Sequence, residues 1–362
     1  MQHPPSENMG KYDPGAVYIL NEEDQSTGAR SDYYKIGLVG PTQTVSDRIE
    51  KQHQTGNPRK IIDVHSFDSL APFFVEKHLH NHFRTKCHFR EWFKLTAKDL
   101  QDVIAEAARY EKIMGPQVAA VRGFQDQPSN GQSATLSPTD QNAAEKIHEK
   151  LVQIVIDIQE LDFHISIQKL HFKLETAGHE GGIDGITTLK IKGIGDPKFK
   201  PALFKAANEP VYNQFCTKRK ISVSKGFAIL PQTKSKNHPK LHEAEKAAKA
   251  AFEMNKPVVG MTVNGTVKRT SALEKAHEAY INLLQDKEVL TEQKEMYEFE
   301  LKKMCGLNEG IDGICKWKRT EKFEFDETAF KRTHPNLYLD PQFYEQSAES
   351  IAISVIGARN YV

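Results

Sequence analysis

The chain has 362 residues and a formal net charge of +1, with 38% hydrophobic and 27% charged residues. This length is sufficient for two or three domains, each with its own core. No apolar run approaches the roughly 18 residues that a membrane span requires, which excludes the membrane-spanning class and predicts a cytoplasmic protein. The four cysteines contain no CxxC pair, so neither a disulfide framework nor a zinc ribbon is indicated.

Positive and negative charges are close to balanced along the whole chain. Residues 1–114 carry 15 lysines and arginines against 16 aspartates and glutamates, which leaves 34 against 32 for the rest. Any contact with nucleic acid would depend on local groups of cations, because affinity follows the number of phosphates neutralised. The candidates in the first part are Arg59, Lys60, Arg84 and Arg90. A scattered, solvated face is the other interpretation of each.

The first 114 residues predict a small α+β domain. Segments rich in β-branched and aromatic residues flank a polar stretch, which is typical of a β-hairpin with a long loop. Apolar positions at helical spacing then alternate with one more strand. The predicted strands are 15–20, 33–39 and 59–67, and the predicted helices are 45–53, 73–83 and 97–113. The expected fold is a short antiparallel sheet flanked by helices.

A linker is predicted over residues 115–139, which are rich in Gly, Pro, Ser and Gln. Beyond it, two long helices with heptad-like apolar seams are expected, one ending near Gly178 and one running from Ser271 to Gly306. These seams also raise the hypothesis that the tail self-associates. The segment 231–270 between the two halves predicts a basic helix over 241–255 and a β-hairpin at Asn264-Gly265.

Each of the two long helices begins one copy of a predicted internal duplication. Each is followed by a glycine turn and the tetrapeptide Ile-Asp-Gly-Ile, at 183–186 and at 311–314. Further shared residues then follow in the same order: Phe204 and Phe330, Tyr212 and Tyr338, Gln214 and Gln342, and apolar strands over 221–229 and 351–356. Several features in one order predict two copies of a helix-plus-strands module, over residues 140–230 and 271–362.

Five polar side chains of the first hundred residues have the chemistry needed to hold a phosphodiester and one hard cation. They are Tyr18, Lys35, Arg48, His53 and Glu76. Mg²⁺ needs only one or two protein carboxylates, and an arginine fork suits the charge that develops on a phosphate. Taken alone, a strand tyrosine is ordinarily a core residue and a helix glutamate is ordinarily exposed.

The order of the motifs is more specific than any one residue. It runs Val-Tyr-Ile-Leu, Tyr-Lys-Ile-Gly, Arg48, Gln-Thr-Gly-Asn-Pro, Glu76 with His80, and Glu-Trp-Phe at 91–93. This order resembles the GIY-YIG nuclease superfamily, and in particular a phage-associated branch that is often described only as DNA-binding. The Glu-Trp-Phe motif is expected to be structural.

The resemblance implies a role for each matched residue. Tyr18 would position or deprotonate the attacking water, Arg48 would grip the scissile phosphate, and Glu76 would bind Mg²⁺ or Mn²⁺. Lys35 stands where the superfamily usually has a tyrosine, and would contact the phosphate or lower the pKa of Tyr18. His53 is a second candidate for the general base.

The second copy of the tail carries another resemblance. Its motifs are Trp317-Lys318, Phe325-Asp326, Ala329-Phe330-Lys331, His334-Pro335 and Leu337-Tyr338. This pattern is similar to the segment after the catalytic core in YqaJ-like phage recombination exonucleases. Because the segment lacks a set of catalytic carboxylates, the resemblance implies an association with phages or mobile elements rather than exonuclease chemistry.

Two functional hypotheses follow from the sequence. The first is a metal-dependent DNA endonuclease whose tail selects the substrate or a partner. The alternative is a non-catalytic DNA-binding or assembly protein that uses the same fold, because function depends on the site and not on the fold. A zinc site formed by His78, His82 and Cys87 is a further alternative, since His78 and His82 share one helix face.

Overall fold

The structure, a computed structural model, describes residues 10–54, 56–176, 178–223, 226–231, 233–255 and 262–357. The chain divides into two compact units. Unit 1 comprises Met1–Asp126, Gln132–Leu151 and Glu288–Cys315, and unit 2 comprises Gln127–Gly131, Val152–Lys287 and Lys316–Val362. Within the described ranges, no helix combines the length and the apolar character that crossing a membrane requires.

The secondary structure is mixed throughout. The strands are β1 Gly15–Glu23, β2 Arg30–Val39, β3 Lys60–Ser69, β4 Cys87–Phe89, β5 Trp92–Lys94, β6 Thr187–Lys192, β7 Lys198–Phe199, β8 Cys216–Val223, β9 Ala228–Ile229, β10 Gly310–Ile311, β11 Cys315–Lys316, β12 Arg319–Phe325, β13 Tyr344–Glu345 and β14 Ser350–Val355. The helices are α1 Val45–Arg48, α2 Pro72–His82, α3 Ala97–Gln125, α4 Pro138–Thr176, α5 Pro201–Ala207, α6 Glu209–Gln214, α7 His238–Asn255, α8 Ser271–Cys305, α9 Glu327–Thr333 and α10 Pro335–Tyr338.

Unit 1 contains a five-stranded sheet in the order β3-β1-β2-β5-β4, and every neighbouring pair is antiparallel. β1 is the most buried strand, with no exposed residue between Val17 and Asn21. Tyr18 and Leu20 lie on one face, where Val45 and Ile49 pack against them. α2 packs on β1 and β2 through its buried apolar residues. The predicted α+β fold, a small antiparallel sheet flanked by helices, is confirmed.

The helix predicted over 45–53 forms in two parts. Thr44 and Asp47 make a reciprocal capping box at the start of α1. After one turn the helix widens into a π-helix, Ile49–His53. Such widening is uncommon and is frequent at functional sites. In this chain it covers the residues between Arg48 and His53.

α3 is longer than the sequence predicts. The prediction ends the helix near residue 113 and begins a linker at 115, whereas α3 continues through Gly115 and Pro116 to Gln125. The reason is that Met114, Val118 and Val121 extend its buried face. Burial of three apolar side chains offsets the single hydrogen bond that an interior proline removes. Residues 115–125 of the predicted linker are therefore helical.

In unit 2, the strands of the two predicted copies pair reciprocally. β6 pairs with β14, β7 with β13 and β8 with β12, all antiparallel. β6, β7 and β8 belong to the first copy, and β12, β13 and β14 to the second. Each of these pairs therefore joins one copy to the other, and an early strand of each copy pairs with a late strand of its counterpart. The duplication itself stays a prediction. The boundaries at 139/140 and 270/271 stay predictions.

The aromatic core of unit 2 lies where the two copies meet. Phe204 of α5 and Phe330 of α9 occupy corresponding positions, and both are fully buried. Their ring centroids are 4.4 Å apart. Phe199 and Phe343 complete the cluster. Related side chains of the two copies thus share one core.

Other predictions for the tail have mixed outcomes. The strand predicted over 221–229 falls in β8 and β9, and the helix predicted over 241–255 is part of α7. Residues 258–261 of the predicted hairpin lie outside the described residues. Val263 and Val267 form isolated parallel bridges with His179 and Ile183. On α8, Leu273 and Tyr280 pack with Phe172 in the core of unit 2; self-association through the seams stays a prediction.

We expect Phe204→Ala and Phe330→Ala each to lower the free energy of unfolding by about 3–5 kcal/mol, because each removes a fully buried ring and leaves a cavity. Chemical denaturation of the full chain, followed by circular dichroism, measures this loss. The double variant should cost less than the sum, since the two rings contact each other. Phe323→Ala is the matched control, because that ring is 55% exposed. An equal loss in the control would contradict the assigned core.

Candidate active site

Tyr18 is buried in the sheet because a glycine lies beside it. Tyr18 of β1 faces Gly37 of β2 in the strand register. A Cβ atom on Gly37 would lie 2.5 Å from the Tyr18 hydroxyl oxygen, which is far inside van der Waals contact. The glycine of the Tyr-Lys-Ile-Gly motif therefore makes room for the phenol, which is only 1% exposed.

The Tyr18 hydroxyl is within hydrogen-bonding distance of the π-helix. Its oxygen lies 3.3 Å from Nε2 of His53, the last residue of that helix. Burial raises the pKa of Tyr18 to about 12, although the charge of Arg48 opposes the increase. Tyr18 is thus a neutral phenol with a histidine as proton partner. The structure brings together these two residues, which the sequence proposed as alternative bases.

Arg48 lies at the end of α1, beside Tyr18 and Glu76. Its Nε and Nη1 atoms are buried without a hydrogen-bond partner among the described residues. Buried guanidinium nitrogens without an acceptor are costly in a folded protein. Such an arrangement is typical of a binding group whose partner is an external anion.

Glu76 projects from α2 into the same polar cluster. Burial raises its pKa to about 8, the charge of Glu91 adds to the increase, and Lys35 and Arg48 oppose it. Glu76 therefore stays protonated to near neutral pH unless a cation arrives. It lies beside Arg48 and Tyr18, two residues that the sequence proposed for the same site, and its role as a cation ligand stays a prediction.

Glu91 is a site residue that the sequence reasoning missed. The Glu-Trp-Phe motif was expected to be structural, and Phe93 is indeed buried. Glu91, however, forms an ion pair with Lys35. Burial opposes the ionisation of Glu91, but Lys35 lowers the pKa of this carboxyl below its ordinary value. The signal lay in the motif itself, which places a carboxylate directly before a buried strand.

A strained turn positions Glu91. Arg90, between β4 and β5, has a φ of 56°, a left-handed conformation that is uncommon outside glycine. The Cys87 thiol donates to the Arg90 carbonyl at 3.2 Å, and the Ile36 amide donates to the Glu91 carbonyl at 3.1 Å. Strain of this kind is often found at functional sites. The turn places the Glu91 carboxylate against Lys35.

His80 lies one helical turn after Glu76 and has a supporting contact. Its Nε2 donates to the Ile36 carbonyl at 3.1 Å. Burial lowers the pKa of His80, so the neutral ring is favoured. This bond fixes α2 against β2, the strand that carries Lys35.

The cations proposed from the sequence to contact DNA fall into two groups. Arg59 is engaged in the fold, since it donates to the Ala29 carbonyl at 3.0 Å and lies 3.8 Å from Glu22. Lys60 and Arg90 are exposed, and Arg84 is half-buried. Arg90 directly precedes Glu91, so among these four it has the closest link to the site. Arg59 is the least suited to binding DNA.

The donors in this cluster fit one hard divalent cation next to a phosphate. Glu76 and Glu91 offer carboxylate oxygens, the ligands that Mg²⁺ and Mn²⁺ prefer. A phosphate nearby would supply acceptors to the two Arg48 nitrogens that lack one. The donors present therefore fit Mg²⁺ or Mn²⁺, and binding of this cation at Glu76 stays a prediction.

Comparison with known proteins gives one match. Residues 15–108 match the model described as the T5orf172 domain, a phage-associated domain in a group related to endonucleases. No curated protein and no solved structure matches the chain significantly. The matched range contains the sheet of unit 1 and all residues of the candidate site. It ends before the tail, so the similarity of residues 317–338 to YqaJ-like exonucleases stays a prediction.

We expect Glu76→Gln to stabilise the protein in metal-free buffer. The pKa of Glu76 rises from 4.5 to about 8 on folding, so its contribution to stability is complete below pH 4.5 and is lost as the pH rises through 8. Glutamine stays neutral. Thermal unfolding with a chelator should show a higher Tm for Glu76→Gln than for wild type at pH 9. The free energy of unfolding should be higher by a few kcal/mol at pH 9, and the difference should be smaller at pH 5.

The control for this prediction is Glu149→Gln, at an exposed position of α4. It should leave the pH dependence of Tm unchanged. If the difference in Tm between wild type and Glu76→Gln is equal at pH 5 and pH 9, burial does not disfavour the ionised form of Glu76.

Proposed function

We propose that the protein is a metal-dependent endonuclease that hydrolyses phosphodiester bonds in DNA, and that its tail selects the substrate or a partner. The observation that carries the proposal is the pair of buried Arg48 nitrogens, Nε and Nη1, that lack a hydrogen-bond partner beside Tyr18 and Glu76. A group that can bind a phosphate, a hydroxyl that can hold water and a carboxylate that can bind a cation would then lie within one site. The matched domain is related to endonucleases, which agrees with this chemistry.

Binding of the scissile phosphate is assigned to Arg48. Its planar fork can donate two parallel hydrogen bonds to phosphate oxygens. The two buried nitrogens would gain partners only when the phosphate is present, so the cost of their burial is relieved on substrate binding. Because the guanidinium is always charged, it also stabilises negative charge that develops on the phosphate.

Activation of the attacking water is assigned to Tyr18 and His53 together. The phenol oxygen would take a proton from the water as it passes its own proton to Nε2 of His53, 3.3 Å away. This relay avoids a free phenolate, which a pKa of about 12 disfavours. His53 would then hold the proton at the end of the step.

Glu76 is assigned to hold Mg²⁺ or Mn²⁺, and Glu91 is the nearest second carboxylate. Such a cation, when bound, supplies neutralisation of charge on the non-bridging and leaving oxygens. Lys35 keeps Glu91 ionised and oriented through their ion pair. In this proposal Lys35 orients Glu91, and it does not perform the chemistry of the tyrosine that the superfamily usually has at this position.

One observation favours a second candidate function. Lys35 stands where the superfamily usually has a second tyrosine, and it is paired with Glu91. This position therefore supplies no hydroxyl to the site, and Tyr18 supplies the phenol beside Arg48. A site with weakened water activation would still grip a phosphate through Arg48. The second candidate is therefore a DNA-binding or assembly protein that does not cleave.

A cleavage assay separates these two functions. Purified wild type is incubated with single-stranded, duplex and branched DNA, with Mg²⁺ or Mn²⁺. We expect cleavage by wild type, none by Glu76→Gln, and a rate about 10²- to 10³-fold lower for Arg48→Ala, since it removes one preorganised donor set. Glu149→Gln should cleave as wild type does. Identical products from wild type and Glu76→Gln would refute the nuclease proposal, and binding without cleavage would establish the second candidate.

The DNA contact assigned to Arg90 has its own test. In the Glu76→Gln background, which prevents cleavage, Kd is measured over a range of salt concentrations. Arg90→Ala should reduce the slope of log K against log salt by about 1, because one phosphate contact is lost. Lys98→Ala is the control, with a side chain 84% exposed on α3. An unchanged slope for Arg90→Ala would remove this residue from the interface.

A further inference from the structure

We propose that unit 1 contains a second cation site, specific for a zinc-like ion, formed by His78 and His82 of α2 and Glu106 of α3. One ligand atom from each of these three residues lies within 4.8 Å of the other two. The site is separate in chemistry from the Glu76 cluster, since its donors are two imidazoles and one carboxylate. It goes beyond the proposed nuclease function and does not depend on it.

The distances suit a tetrahedral ion. Oε1 of Glu106 lies 2.6 Å from Nε2 of His78 and 3.9 Å from Nδ1 of His82. With bonds of about 2.0–2.1 Å, a tetrahedral zinc ion separates its ligand atoms by about 3.3 Å. The 2.6 Å separation is a hydrogen bond, and it would lengthen by about 0.7 Å when the ion replaces the shared proton, while the 3.9 Å separation would shorten. Rotation of the His82 side chain, which is 52% exposed, would bring the third ligand into range.

A second carboxylate orients His78 as a metal ligand is usually oriented. Glu292 of α8 accepts a hydrogen bond from Nδ1 of His78, which leaves Nε2 directed at Glu106. Histidines that bind metals almost always donate their other ring nitrogen to such an acceptor. Glu292 is itself held by Asn81, whose amide donates to it at 3.1 Å. The sequence does not predict that Glu292 and Asn81 lie beside His78.

The ligands are held in place by further contacts. The His78 ring stacks on Tyr110, with centroids 3.8 Å apart and planes 2° from parallel. Arg109 donates through Nε to the Oε2 atom of Glu106 at 2.7 Å and through Nη2 to Oε1 at 2.5 Å, so the carboxylate is fixed and its Oε1 is shared between Arg109 and His78. Little side-chain entropy of His78 and Glu106 would therefore be lost when an ion binds, and the ordering cost falls on His82.

The ligand set defines the class of ion. Two imidazole nitrogens and one carboxylate oxygen suit Zn²⁺, whereas Mg²⁺ prefers oxygen donors alone. The exposed side of His82 gives the ion access from solvent, and a water molecule would complete the tetrahedron. The zinc site considered from the sequence had Cys87 as third ligand; its thiol instead donates to the Arg90 carbonyl, and Glu106 takes its place because α3 packs along α2.

The chain contains a matched control for this site. His238 and His242 of α7 also stand four residues apart, with ring centroids 5.9 Å apart. Among the described residues, no group of three ligand atoms includes either of them. We therefore expect His238 and His242 to bind zinc more weakly than His78 and His82 do together with Glu106.

The test is zinc binding to the full chain after removal of metal by a chelator. Zn²⁺ is titrated in competition with a chromogenic indicator, without DNA, for wild type, Glu76→Gln, His82→Ala, Glu292→Gln and His242→Ala. We expect one tight site in wild type, Glu76→Gln and His242→Ala. His82→Ala should lose it, and Glu292→Gln should weaken it about 10- to 100-fold. Co²⁺ in place of Zn²⁺ should give the visible bands of a four-coordinate ion.

Two results would overturn the proposal: no tight zinc site in wild type, or equal affinity in wild type and His82→Ala. Circular dichroism checks that each variant is folded, and Glu292→Gln provides the decision if His82→Ala is not. Because binding is measured in the Glu76→Gln variant as well, a failure here is distinguishable from a failure of the nuclease proposal.

Discussion

The close approach of Tyr18 to Gly37 is the constraint on which the candidate site depends. With no Cβ at position 37, the phenol packs closely over Gly37 and its hydroxyl comes within reach of His53 and Arg48. A larger residue there would displace the tyrosine or separate β1 from β2, because protein interiors have no spare volume. The sheet thereby fixes the hydroxyl, and the helical segment from Val45 to His53 fixes the two groups around it.

Charge balance around that hydroxyl explains why a cation and a phosphate would bind together. Lys35 and Arg48 contribute two positive charges, and Glu76 and Glu91 can contribute two negative ones. While Glu76 is protonated, as its raised pKa favours, the cluster has an excess of positive charge that attracts a phosphate. A divalent cation would replace that proton and let Glu76 ionise beside it. Under the proposed function, the raised pKa of Glu76 is the energetic cost of a site that would be complete only with its ligands bound.

Local patterns in the sequence predict the elements of unit 1 well, and contacts between distant segments are what they leave out. The strands around Tyr18 and Lys35 and the helix of Glu76 follow from apolar periodicity and turn residues. Glu91 was missed because its role depends on a strained turn at Arg90 and on pairing with β2. The end of α3 was placed too early because Gly115 and Pro116 are helix breakers locally, whereas tertiary burial of Val118 and Val121 decides the outcome.

The tail shows the same limit on a larger scale. Repeated residues predict two copies, but no local pattern could reveal that β8 pairs with β12 and β6 with β14. Because each copy supplies strands that pair with the other, removing one copy leaves strand edges of the other without their partners. Phe204 and Phe330 then lose the ring that each packs against. The two predicted copies must therefore fold together, because neither has a complete set of strand partners or a complete aromatic core without the other.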